Sequence, residues 1–200
     1  MSSLVVSGDT SGSVTIAAPA VAGTPTLTLP TTSGTILTSA STINAITSGT
    51  AQASTSGTSI DFTGIPSGVK RITVMFSEVS TSGTSASLIQ IGSGSVANTG
   101  YVSTSNSTNQ SSSTAGASST AGFVINSNDA TFLRSGAFSI LLVDTSNTYI
   151  ASHTIKLNTT QVAFGGGSKS LSGALDRVRI TTVNGTDTFD AGSINILYES

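Results

Sequence analysis

One histidine, nine acidic residues and an abundance of hydroxyls are the groups in this chain that could carry chemistry. A hydrolytic triad would need His153 beside an acid and a serine. Serines occur throughout, so their presence selects none of them, and no Gly-x-Ser-x-Gly turn presents one as a nucleophile. His153 falls in a stretch whose alternation places Tyr149, Ala151 and Ile155 on its own face, so a structural or surface role is expected of it. Asp176, Asp187 and Asp190 are the best candidates for paired carboxylates. A Ca²⁺ site needs six or more oxygens, whereas aspartates flanking Asn184-Gly185 fit turn chemistry, in which a short acid hydrogen-bonds the nearby backbone. Gly165-Gly166-Gly167 lacks the Gly-Lys-Ser/Thr ending of a phosphate loop and reads as a turn before Ser168. The Asn-x-Ser/Thr matches at Asn106 and Asn158 are what a Ser/Thr-rich chain yields by chance. No catalytic residue, cofactor or metal is expected.

Composition narrows the possibilities further. Charged residues make up 8% of the chain, against about 25% in ordinary domains, yet the mean hydropathy is +0.24. Disorder requires low hydrophobicity and high net charge; this chain has neither and reads as folded. Seven basic residues and a pI near 5.0 supply no phosphate-binding track, since adjacent Lys70 and Arg71 point to opposite faces of a strand. No apolar run of about 18 residues suggests a membrane span, and the start lacks the basic segment of a secretory signal. Without cysteine, disulfides are excluded. A β-rich surface with so few charges has little to blunt its sheet edges, which favours closure within a defined oligomer.

The elements that would position these groups are strands. Gly12, Gly23 and Gly34 recur at an 11-residue spacing, each leading a β-type run. Val14, Ile16, Leu27, Leu29, Ile36 and Leu37 are the apolar residues of these runs, and so short a repeat cannot bury its apolar face alone. Residues 1–38 are therefore expected to be an N-terminal β arm that serves in attachment or trimerisation. Residues 39–59 read as a Ser/Thr-rich linker with room for one helical turn. Residues 60–200 read as a β-sandwich or jelly-roll-like domain, on the alternation Ile72/Val74/Phe76, Phe138/Ile140/Leu142, Val178/Ile180 and Ile194/Ile196/Tyr198. Asn184-Gly185 is a type I′ hairpin signal and is expected to join the last two strands. Ser103 to Ala121, almost wholly small and polar, reads as a long loop at a tip. The candidate host-contact residues in and beside it are Tyr101, Asn106, Asn109 and Gln110.

Three segments carry a resemblance. Gly12 to Thr38 looks like a segment recurrent in tailed-bacteriophage tail fibres and related virion surface proteins. Phe62-Thr-Gly-Ile-Pro-Ser-Gly-Val-Lys-Arg-Ile-Thr-Val-Met-Phe76 resembles a module near the C-termini of such proteins, as does Leu171 to Tyr198, with Asp176-Arg177-Val178-Arg179 inside it. The resemblance implies a homotrimer, contacts with other phage virion proteins of tail or capsid, and contact with a host cell-surface glycan or protein. It implies a virion location, the chain being made in the host cytoplasm. A short tail or head fibre and a capsid decoration protein both fit this expectation; nucleic-acid binding and membrane insertion do not.

Overall fold

The computed structural model describes residues 3–7, 13–17, 23, 46–111 and 114–200, and the chain divides into two compact units, Met1–Thr42 and Ile43–Ser200. In the first, β1 (Ser3–Ser7) and β2 (Ser13–Ala17) form an antiparallel hairpin in which Leu4 faces Ile16 and Val6 faces Val14. The first of the three repeat runs is thus a strand, and its partner is the segment before it. Leu27, Leu29, Ile36 and Leu37 lie outside the described residues.

The second unit is all-β; no helix occurs among the described residues. Its strands are β3 (Ile46–Ser48), β4 (Gln52–Ala53), β5 (Ile60–Thr63), β6 (Arg71–Thr81), β7 (Ser87–Ser93), β8 (Ser95–Val96), β9 (Val102–Asn109) and β10 (Thr114–Ser119). They continue with β11 (Phe123–Ile125), β12 (Arg134–Leu142), β13 (Thr148–Lys156), β14 (Gln161–Ser170), β15 (Arg177–Thr182) and β16 (Phe189–Glu199). Nine strands form one antiparallel sheet in the order β10-β9-β14-β13-β12-β6-β16-β3, with β4 also on β16. Five form the other, β11-β7-β15-β5, with β8 on β7. One core joins the two: Val74, Phe138, Ile155 and Ile194 come from the larger sheet, and Ile89, Ile125, Val178 and Ile180 from the smaller. Those of the larger sheet are the buried members of period-2 runs whose neighbours are more exposed, whereas β7 and β11 are buried on both faces.

The segment read as a linker belongs partly to this unit. β3 and β4 pair with the last strand, and Ser54 is fully buried with its hydroxyl donating to the Ala191 carbonyl at 2.7 Å. The polar segment read as a loop is also strand. β9 and β10 form a hairpin from Ser103↔Ser119 to Thr108↔Thr114. Nor does Asn184-Gly185 make a type I′ hairpin. Gly185 has φ 68° but Asn184 is not in the left-handed region, and the turn carries the chain from β15 in the small sheet to β16 in the large one. Its geometry comes from Asn184 Oδ1, which accepts from the backbone N–H groups of Thr186 and Asp187.

Gly165-Gly166-Gly167 is no turn; it lies inside β14. A Cβ on Gly165 would stand 2.3 Å from the Thr104 carbonyl oxygen, and one on Gly167 2.4 Å from that of Val102. The missing side chains let β14 lie tightly between β9 and β13. Where β6 bends, Glu78 takes a left-handed φ of 52° and the register on β12 slips between Arg134 and Gly136, a β-bulge. The bend turns Val79, Ser80 and Thr81 inward.

Arg134, fully buried, sits at that bend. Its guanidinium donates to Val79 O (3.4 Å), Thr81 Oγ1 (3.3 Å) and Ser127 O (3.1 Å), tying the large sheet to the segment after β11. No carboxylate touches it, and burial brings its pKa down to about 10 against the opposing pull of Asp190, Asp129 and Asp187.

Candidate functional site

The polar hairpin is built on hydroxyls where other strands use alkyl groups. Ser103, Ser105 and Ser107 alternate along β9 and face inward. Ser103 Oγ accepts from Val124 N at 2.9 Å and Ser105 Oγ from Asn126 N at 3.1 Å. These are edge N–H groups of the small sheet, so serines of one sheet satisfy the open edge of the other. Asn126 completes the seam, its amide donating to Ser107 Oγ (3.2 Å) and to the Ala115 carbonyl (2.7 Å).

His153 belongs to this seam. Its Nε2 lies 3.0 Å from Ser105 Oγ, and its ring stacks on Phe138 at 5.1 Å and 11°. Ser105 Oγ also lies 3.3 Å from the Phe164 carbonyl. A proton on Nε2 satisfies the whole network: the serine then accepts from His153 and Asn126 and donates to Phe164, and only Nδ1 lacks a partner. Burial lowers the pKa of His153 to about 4, keeping it neutral. This is a serine–histidine contact without a third group on Nδ1 and with a serine that is 0% exposed. It holds strands together and cannot meet a substrate.

Tyr101 requires a correction as a host-contact residue. It is 1% exposed, its ring edge-on to Phe123 at 5.0 Å. Its hydroxyl accepts from Ile91 N at 2.7 Å and faces the carbonyls of Ala97 (3.0 Å) and Ile91 (3.1 Å). The same burial raises its pKa to about 12. Asn106 and Gln110 are exposed and Asn109 half-buried, all on the hairpin.

Next to the hairpin tip lies an open cleft of about 270 Å³, lined by Thr108, Asn109, Thr114, Asn128, Asp129 and Gln161, with Phe132 behind them. Asp129 Oδ1 accepts from Thr131 N and Thr131 Oγ1, both at 2.8 Å, and these bonds hold its carboxyl below the usual range. Gln161 Oε1 accepts from Asn158 Nδ2 at 3.3 Å, which orients the Gln161 amide N–H₂ as a donor. The cleft therefore offers an ionised acceptor, amide donors and hydroxyls, and little aromatic surface, since Phe132 is 6% exposed. Such groups recognise a polyhydroxyl ligand through hydrogen bonds. Asn128, Asp129 and Gln161 carried no spacing signal: they come from the β11–β12 loop and the start of β14, which only the fold brings together.

Asp176, Asp187 and Asp190 do not share one metal-binding cluster. Asp176 binds Arg177 and Gly94 N, Asp187 binds Ser85 N and the Asn184 amide, and Asp190 takes the Ser80 hydroxyl. Arg179 pairs with Asp61 across the strands at 2.7 Å. No family model, curated protein or solved structure matches this chain.

Proposed function

We propose that this chain is a short trimeric fibre of a bacteriophage particle, attached through its N-terminal unit and presenting the sandwich to the host surface. The resemblance of Phe62–Phe76 and Leu171–Tyr198 to tail-fibre modules supports the virion role. The observation that carries the host-contact role is the cleft at the hairpin tip, where Asn109 of β9, Asn128 and Asp129 of the β11–β12 loop and Gln161 of β14 converge around a volume fit for a small ligand. A cell-surface glycan matches this lining, with hydrogen bonds doing the recognition in place of aromatic stacking.

The test is competition. Purified full-length chain is added to susceptible cells before phage, and adsorption is measured. The wild type is expected to block adsorption, and the Asn128→Ala/Gln161→Ala double variant to need about tenfold more protein, the loss of roughly one or two good hydrogen bonds. Folded wild type that binds no susceptible cell would count against the reading.

A second reading, a capsid decoration protein, draws on the β1–β2 hairpin. It belongs to a separate unit, and from Thr10, ahead of β2, to Ile60 the sequence holds no charge. Such a segment could add strands to a coat-protein sheet.

A further inference from the structure

The outer face of the nine-stranded sheet carries no charge across its centre. Strand register lays its side chains in rows across the sheet. One row runs Thr104, Gly166, Ser152, Ser139, Thr73 and Leu197. The next runs Asn106, Phe164, Thr154, Ala137, Met75 and Asn195. Neither row contains a charge. On one side the flanking row adds Val102, which is 72% exposed, and Ile150, 46% exposed; Phe164 itself is 43% exposed. Charges appear only at the margins, as the pairs Arg71–Glu199 and Lys156–Glu78. The small sheet's outer face is the opposite: Asp61–Arg179 and Asp176–Arg177 lie across it.

An uncharged centre holding Phe and Met, with ion pairs at its rim, is the anatomy of a protein–protein contact. We infer that this face is buried against a second copy of the chain. The occupant follows from charge and area. Any partner must offer an uncharged complement, and this same face is one. Six strands spaced ~4.8 Å apart and three rows of side chains cover about 500 Å², so two such faces bury about 1,000 Å², the size at which specific association begins. When two such faces meet, Phe164, Val102 and Ile150 leave water while the hairpin tip and its cleft stay at the end of the sheet. The inference rests on the oligomeric fibre reading and names the surface that the oligomer uses.

Sedimentation of the full-length chain tests it. Ser152 and Thr154 are exposed on β13, so lysines there are tolerated by the single chain. Ser152→Lys/Thr154→Lys is expected to weaken association at least about tenfold, because each copy then brings unpaired charge into the contact. Thr63→Lys, exposed on the small sheet, is expected to leave association unchanged. Thermal melts confirm that each variant folds; Thr104→Lys, on β9 in the same row as Ser152, repeats the test if the double variant does not. Association unaltered by the β13 and β9 lysines, or a wild type that sediments as a single chain, overturns the assignment. The fibre reading fails separately, if the chain is absent from purified virions while its oligomer forms and responds to the lysines.

Discussion

At the scale of single residues, the buried polar groups tie the two antiparallel sheets together. His153 is neutral in the fold because burial lowers its pKa to about 4, whereas the unfolded chain titrates near the ordinary 6.5. Between these values the unfolded state binds the extra proton, so stability is fully present above pH 6.5 and falls as pH drops towards 4. The window corresponds to a loss on the order of 3 kcal/mol. Urea unfolding at pH 7 and pH 5 is expected to show most of this loss in the wild type and little of it in His153→Gln. Equal losses would place the pH dependence elsewhere. His153 was legible as a structural residue from its apolar neighbours on β13; its bond to Ser105 was not, because one serine among many has no distinguishing spacing. Tyr101 was misread for a related reason. It adjoins a polar stretch, and nothing local shows that its hydroxyl is taken by the backbone of Ile91, two strands away in another sheet.

At the scale of elements, strands whose inward residues are alkyl or aromatic were plain in the sequence. Ile72/Val74/Phe76, Phe138/Ile140 and Ile194/Ile196 are buried as their alternation requires. The hairpin β9–β10 escaped because Ser103, Ser105 and Ser107 keep the same period with hydroxyls, and a hydropathy pattern is blind to them. The linker reading failed because β3 and β4 are too short to show any period and owe their conformation to β16. The type I′ expectation failed because a local turn signal does not state which sheet the next strand joins. β14 supplies the prediction at this scale. Gly165→Ala puts a methyl group against the Thr104 carbonyl and near the His153 ring. Overpacking of that kind costs ~1–3 kcal/mol, and the packing between two paired strands leaves little room to relax, so the upper end is expected in denaturant unfolding. A neutral result would mean that the β9–β14–β13 contact is looser than its geometry.

At the scale of the whole molecule, two properties act together. The chain carries few charges, and the described unit places them unevenly: ion pairs on the outer face of the small sheet and at the margins of the large one. A particle component that is assembled once and never needs to stay monomeric can use such a surface, since uncharged sheet faces associate where charged ones repel. On the proposed fibre reading, the separate N-terminal unit serves attachment and the hairpin-tip cleft host contact. The most direct measurement of this account is the copy number of the chain in purified virions, by quantitative mass spectrometry against the major coat protein. The account predicts that the chain is present at far fewer copies than the coat protein, as befits a fibre at the tail or at vertices. Absence from the particle would contradict it, and a number comparable with the coat protein would instead make this a decoration protein of the capsid.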